Sequence, residues 1–309
     1  MTSDTTSGTG RSAFGTGSAA SEVLAGIDLT GRTAVVTGGY SGLGLAATRA
    51  LAGAGARVVV PARRPESAQQ ALADTQRVEV DRLDLADLNS VRAFAERFRR
   101  RHATLDILIA NAGIMACPET RVGPGWEAQL AINHLGHYAL TQLVWPTLTA
   151  AGAARVVSVS SGYSVDSRIR WDDLQFSRGY DKWAAYAQSK LANILFARHL
   201  DRLGGPYGVR AFSVNPGWIL TPLQRHLTVD EMVAAGWIDA EGNPAPGLFT
   251  TPEQGAATLV WAATSRELDG RGGDYCADCR ITDGGPADDG EAARLWALSA
   301  NLTGLDLVH

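Results

Sequence analysis

The sequence predicts an α/β fold, a doubly wound parallel sheet, from three observations. Short, β-branched, almost wholly apolar runs recur along the chain; alanine-rich segments of helical length separate them; and the runs end on small, polar or turn-forming residues. Runs this uniformly apolar belong to strands buried on both faces, and strands alternating with such helices pair in parallel through crossovers, the Rossmann arrangement. With 309 residues, 45% of them hydrophobic, the chain can bury a large core, and one domain over residues 25–309 is expected.

The elements follow in order. Residues 1–24 are expected to form a disordered tail: the first 20 are mostly Ser, Thr, Gly and Ala and lack the continuous apolar region of a secretory signal. Their Ser-rich, acid-poor character keeps an organelle-targeting reading open, although they hold one arginine. Then come the strand "TAVVT", a helix from about Gly42 to Ala54, and the strands "RVVVPA" and "RVEVDRLDL". A helix from about Leu88 to Arg101 leads into "LDILIANAG", a long helix runs from about Gly125 to Leu148, and "RVVSVSS" follows. A helix over roughly Trp183 to Leu203 precedes "VRAFSVNPG". Residues 218–250 turn irregular, with Leu220, Leu223, Met232, Trp237 and Phe249 interrupted by Gly236, Gly242, Pro244 and Pro246; the pattern suits an apolar cover over a cleft, or a packing or subunit contact. "TPEQGAATLVWAATS" reads as an amphipathic helix with Thr251 as N-cap, Pro252 at the first helical position and Glu253 in the first turn. "GGDYCADCRIT" supplies the last strand and "EAARLWALSANLTG" a short terminal helix; both could build the face of a homo-oligomer, dimer or tetramer.

The totals narrow the partners. A net charge of −4 with both signs interspersed gives no footprint for nucleic acid and no polybasic membrane patch. No run reaches the roughly 18 apolar residues of a membrane span. Small molecules are the expected partners and the cytoplasm the expected place. Cys117, Cys276 and Cys279 are too few for a disulfide framework and fit a reducing compartment. The C-x-x-C at Cys276 and Cys279 lacks a second ligand pair, and His134, His137 and His226 lack metal-ligand spacing, so no metal is expected.

In open parallel sheets, ligands bind outside the carboxyl ends of the strands. Those ends here are Thr37-Gly38, Ala62-Arg63, Asp84-Leu85, Asn111-Ala112-Gly113, Ser160-Ser161 and Asn215-Pro216-Gly217. In "TGGYSGLG", Gly38, Gly42 and Gly44 fall where the chain must turn into a helix, so backbone N–H groups and the helix N-terminus are available to an anion such as a dinucleotide pyrophosphate. Gly38, Tyr40, Ser41, Gly42 and Leu43 are the candidate contacts. The spacing T-G-x-x-x-G-x-G differs from the commoner G-x-G-x-x-G. The second strand end carries Arg63 and Arg64 and no acid, which suits a ribose 2′-phosphate and predicts NADP(H) over NAD(H), NAD(H) remaining open. Tyr186 and Lys190 lie four apart on one helix face, where a cation is expected to lower the phenol pKa toward neutrality and ready it for proton transfer. Ser160 and Ser161 reach the same rim, where a hydroxyl can hydrogen-bond a developing alkoxide.

Together these motifs resemble the short-chain dehydrogenase/reductase family from about Leu29 to Gly217: Thr37 to Gly44 matches its T-G-x-x-x-G-x-G, Asn111 to Gly113 its N-A-G, Tyr186 to Lys190 its Y-x-x-x-K, and Pro216-Gly217 its P-G. "INHLGHY", "WDDLQF" and "AYAQSKLANILFARHL" look like the retinol dehydrogenase and WW-domain oxidoreductase branch, without a WW domain. The resemblance implies an acid/base role for Tyr186, with Lys190 lowering its pKa and holding the nicotinamide ribose. It implies that Ser161 polarises the carbonyl and that Asn133 orders a water leading to Lys190. It further implies Asp84 and Leu85 beside the adenine, Asn111 with Ala112 and Gly113 on the adenosine side, Pro216 and Gly217 along the cofactor, and Thr221 at the carboxamide. Ser160 stays open as the alternative serine. Trp218 stands where that branch usually has a smaller residue, and either lines the substrate pocket or packs in the core. The expected activity is NADP(H)-dependent interconversion of a carbonyl and an alcohol on a fairly hydrophobic small molecule, a carbonyl reductase or ketoreductase. The alternatives are an idle NADP(H)-binding regulator on the same fold, or a methyl-donor enzyme that would leave the Tyr/Lys pair unexplained.

Overall fold

A computed structural model describes residues 12–283 and 288–306. Eight strands make the main sheet: β1 (Thr33–Val36), β2 (Arg57–Ala62), β3 (Val78–Arg82), β4 (Ile107–Ala110), β7 (Ala154–Val159), β8 (Val209–Asn215), β9 (Tyr275–Ala277) and β10 (Arg280–Thr282). A separate small hairpin holds β5 (Arg121–Val122) and β6 (Trp126–Glu127). The helices in chain order are α1 (Ala20–Val23), α2 (Gly42–Gly53), α3 (Pro65–Ala71), α4 (Leu88–Arg101), α5 (Ala128–Leu130) and α6 (Gly136–Ala150). They continue with α7 (Lys182–Gly204), α8 (Val229–Ala234), α9 (Pro252–Gly255), α10 (Ala257–Thr264) and α11 (Asp289–Thr303).

The order β10-β9-β8-β7-β4-β1-β2-β3 is parallel except for β10, so the predicted doubly wound α/β sheet is present. β1 pairs with β2 on one side and β4 on the other, Ala34 standing between Val58 and Ile107. Successive strands move outward in opposite directions from this seam, which leaves a crevice above the β1 and β4 carboxyl ends. Val35 and Val59 point into one apolar layer with Phe94, Phe98 and Tyr138, while Val36 and Val60 point into the opposite layer with Leu51, Leu259 and Trp261. Two-sided burial explains why the strands read as continuous apolar runs.

Four expectations change. The tail does not extend to residue 24: Ala20, Val23 and Leu24 are buried as α1 packs on α10, because three apolar residues at helical spacing find a covered face there; residues 1–11 lie outside the described part. The long helix starts later than Gly125. Gly123 and Gly125, both with positive φ, turn the β5–β6 hairpin, and the buried Glu127 carboxylate then caps α5 by accepting from the Gln129 and Leu130 N–H groups at 2.9 and 2.7 Å. "GGDYCADCRIT" forms two strands rather than one. Asp278 and Cys279 both take positive φ in the two-residue turn, a place where Gly or Asn is the usual signal. The predicted Thr251 cap is present, with Thr251 and Gln254 exchanging hydrogen bonds, but residues 256–263 are buried all round rather than amphipathic. Among the described residues no helix is long and apolar enough to cross a membrane.

The connection from α7 into β8 is held by a part-buried ion pair. The Asp201 carboxylate accepts from Arg210 Nε and Nη2, both at 2.8 Å, and from the Ala211 N–H at 3.0 Å. Asp201→Ala leaves a half-enclosed guanidinium and a buried N–H unpaired, and is expected to cost about 3 kcal/mol. Urea unfolding checks this as a lower midpoint at unchanged slope; an unchanged midpoint would show the pair to be neutral.

Candidate active site

A cleft of about 780 Å³ opens above the carboxyl ends of β1, β2, β4, β7 and β8. Its floor is built around Thr37. The hydroxyl oxygen accepts from the Asn111 and Ala112 N–H groups at 2.9 and 3.0 Å, which occupies both lone pairs. Its proton therefore goes to the near acceptor, His137 Nε2 at 2.8 Å, ahead of the Ile109 carbonyl at 3.4 Å. That leaves the imidazole proton on Nδ1, donating to the Asn133 carbonyl at 2.9 Å. Burial pushes His137 down to about 4, so the ring is the neutral tautomer this chain of bonds requires. Asn111 adds a side-chain bond, Nδ2 donating to the Thr37 carbonyl at 2.9 Å.

The glycine loop fits an anion. Gly38 holds φ +65 against Ala112, and a Cβ on Gly44 would stand 2.3 Å from the Gly38 carbonyl oxygen, so neither position accepts a side chain. Ser41, the N-cap of α2, makes no side-chain cap bond, leaving the first-turn N–H groups facing the cleft beside Gly42 and Leu43. Thr221 arches over from the other side, its methyl 3.1 Å from where a Gly42 Cβ would be. Arg63 and Arg64 line the same cleft at the end of β2, exposed and without an ion pair among the described residues. This donor set, with its bare backbone and two guanidiniums, fits the phosphates of a dinucleotide.

At the other end of the cleft Tyr186 and Lys190 project from α7. Lys190 Nζ donates to the Val159 carbonyl at 3.0 Å and lies 5.7 Å from the Tyr186 ring centroid. Burial pushes the phenol up to about 12, opposed by a hydrogen bond with the Ser161 side chain, and burial alone pushes Lys190 down to about 8. The expected lowering of the phenol by its cation is therefore not found: enclosure outweighs a charge held beside the ring and tied to a carbonyl. Tyr186 is a protonated phenol across the neutral range.

The two serines separate cleanly. Ser160 is buried, with its hydroxyl donating to the Lys190 carbonyl at 2.8 Å, whereas Ser161 faces the phenol. Asn133 is fully buried in a π-helical turn (Ala131–Leu135); its side chain accepts from Ile114 N–H at 2.9 Å and donates to the Ile114 carbonyl and to Ser189.

A sequence model described as short chain dehydrogenase matches residues 32–232. The chain belongs to the short-chain dehydrogenase family. A Streptomyces lividans protein named "Probable oxidoreductase" is 45% identical over 89% of this chain and 98% of its own length. Human retinol dehydrogenase 12 is 37% identical over 90% of this chain and 88% of its own, in keeping with the retinol dehydrogenase-like branch. Among solved structures, a Pseudomonas aeruginosa RhlG/NADP active-site complex superposes with a TM-score of 0.63 at 25% identity, covering 86% of this chain and 98% of that one.

Of the residues singled out from sequence, the cleft collects Gly38, Tyr40, Ser41, Gly42, Leu43, Arg63, Arg64, Asn111, Ala112, Gly113, Ser160, Ser161, Tyr186, Lys190, Pro216, Gly217, Trp218 and Thr221. Of the catalytic and cofactor candidates, Asp84, Leu85 and Asn133 are not in its lining. The Asp84 carboxylate accepts from the Ala86 N–H at 3.0 Å, Leu85 is packed against Gly136, and Asn133 braces the backbone at Ile114. Met115, Tyr163, Asp166, Gln224 and Arg225 line the cleft without having been singled out. Met115 and Tyr163 each stand two residues beyond a strand-end motif, so following those loops two residues further finds them.

The serine geometry predicts opposite outcomes for the two alanine variants. Ser161→Ala is expected to lower kcat by roughly 10²-fold or more with little change in melting temperature. Ser160→Ala should lower the melting temperature by a few degrees through the lost bond to α7, about 1 kcal/mol, and affect kcat much less. Steady-state kinetics and thermal unfolding of both variants check it.

Proposed function

We propose that this chain is an NADP(H)-dependent carbonyl reductase or alcohol dehydrogenase acting on a fairly hydrophobic small molecule. The observation that carries the reading is the convergence, in one cleft, of a buried protonated phenol beside a serine hydroxyl with a glycine-loop anion cradle flanked by two arginines that make no ion pair among the described residues. The NADP complex among the structural relatives supports the choice of cofactor.

A bound nicotinamide dinucleotide supplies the hydride that reduces the carbonyl carbon. The chain's own residues do the rest. The α2 N-terminus and the glycine loop hold the pyrophosphate, and Arg63, with Arg64 beside it, pairs with the 2′-phosphate. Asn111, Ala112 and Gly113 flank the adenosine side, Pro216 and Gly217 line the cofactor's path, and Thr221 meets the carboxamide. Ser161 donates to the substrate oxygen as charge develops, and the Tyr186 hydroxyl gives that oxygen its proton. Lys190, while charged, holds the nicotinamide ribose and stabilises the phenolate left behind. Asn133 keeps the Ile114 loop in place and orders a water next to Lys190. Residues 218–250 cover the substrate and exclude water. The protein works in the cytoplasm.

Initial rates with NADPH and NADH on a panel of ketones and aldehydes test the reading. NADPH is expected to be preferred, and Arg63→Ala to narrow the gap by tenfold or more, the worth of one charge-assisted pair, roughly 1.5–3 kcal/mol. Tyr186→Phe should lower kcat by about 10²–10⁴-fold while leaving NADPH binding intact. Reduction should be level below pH 8 and decline as pH rises through about 8, because the Lys190 charge is present below its pKa and lost above it. NADH preference, an active phenylalanine variant, or rates that climb through pH 9 would each contradict it.

A further inference from the structure

The geometry points to a flat aromatic ketone or aldehyde of two or three fused rings as the substrate class, recognised by a wall of aromatic rings beside the Tyr186 phenol. The inference rests on the carbonyl reduction reading above and deepens it.

Three rings of the wall line the cleft. Tyr163, on the turn after β7, lies 6.3 Å from the Tyr186 ring; Trp218, just past Pro216-Gly217, lies 5.8 Å from Tyr163; Trp237 lies 5.5 Å from Trp218 with the two planes at 80°. Separations of this size are ring-on-ring contact, so no ligand slides between these side chains. They form one surface, two ring-to-ring steps from the proton donor to the Trp218 indole. A fourth ring supports it from behind: Trp183 stacks on Tyr163 at 5.4 Å and 22°, and meets Trp237 at 6.0 Å and 84°.

The exposure pattern separates support from recognition. Trp237 is 5% exposed and packs with Met115 and Tyr186, whereas Trp218 is 43% and Tyr163 40% exposed within the cleft. Trp218 is thus not a core residue. Two large aromatic side chains left part-exposed at the rim of a binding cleft are a surface awaiting an apolar partner. An aliphatic chain would gain from them only by area. A planar ring gains in addition from offset-stacked or edge-to-face complementarity with the exposed Trp218 and Tyr163 rings, which the buried Trp237 holds in place. A rigid ring system also loses fewer rotors on binding than a flexible chain.

Matched aldehydes test this: 2-naphthaldehyde and its saturated counterpart decahydro-2-naphthaldehyde, compared by kcat/KM with NADPH in the wild type, Trp218→Leu and Trp218→Phe. The wild type should favour the aromatic aldehyde. The aromatic-to-saturated ratio should fall about tenfold in Trp218→Leu, mainly through KM, and recover in Trp218→Phe, which restores a π-face. A ratio unchanged by Trp218→Leu, or a wild-type preference for the saturated ring, overturns the inference. If neither aldehyde is turned over, calorimetric titration of both separates the two readings. Preferential binding of the aromatic ring, lost in Trp218→Leu, upholds the wall while carbonyl reduction fails; equal or absent binding overturns the wall as well.

Discussion

The hydroxyl of Thr37 is the constraint on which the rest of the site depends. One oxygen at the end of β1 binds two backbone N–H groups at the end of β4 and hands its proton to His137 on α6, which in turn donates to the Asn133 carbonyl. At the seam where strand order reverses, two parallel strands and a helix must be held apart widely enough for a ligand yet fixed relative to one another. A small β-branched residue with one donor and two acceptor positions does this in a buried setting, where each unsatisfied polar group would be costly. The glycine loop begins one residue later and inherits its position from that bond set. On the other side, Asn133 and the Ile114 loop link the seam to Ser189 on α7, within one turn of both Tyr186 and Lys190. The glycine loop and the Tyr186 phenol are thereby registered through a short chain of hydrogen bonds.

Burial sets the acid–base chemistry. Enclosure holds the Tyr186 phenol protonated and depresses Lys190, so the pair is split toward a donor and an easily discharged cation rather than toward phenolate. The phenol thus keeps its proton until a substrate oxygen becomes more basic than the phenolate, and the hydrogen bond from Ser161, which opposes the upward shift, brings a second hydroxyl to the same place. The aromatic wall at Tyr163, Trp218 and Trp237 adjoins this phenol, so the proposed proton donor and the proposed substrate surface share one end of the cleft.

Much of this was legible from sequence because it rests on backbone-determined features. Two-sided burial wrote the strands as apolar runs, Gly38 and Gly44 marked places where a side chain cannot fit, and the four-residue spacing of Tyr186 and Lys190 put both on one helix face. What sequence did not reveal depends on neighbours distant in the chain. Thr37 bonding to His137 spans 100 residues. The π-helical turn at Asn133 has no composition of its own. The turn at Asp278-Cys279 uses left-handed backbone at residues that give no glycine signal, and α1 is recognisable only through the face of α10 that buries it. The direction of the Tyr186 shift was misread for the same reason: spacing shows that a cation is near, while only the packed structure shows how completely both groups are enclosed.

The most direct measurement follows the label rather than the rate. NADPH carrying deuterium at both C4 positions is incubated with the protein and 2-naphthaldehyde or another accepted carbonyl, and the product alcohol is analysed by mass spectrometry. The account predicts one deuterium on the carbinol carbon per molecule of NADPH consumed, with the hydroxyl proton drawn from solvent, and its loss when Tyr186 is replaced by phenylalanine. NADPH that binds tightly yet transfers no label to any carbonyl would contradict it.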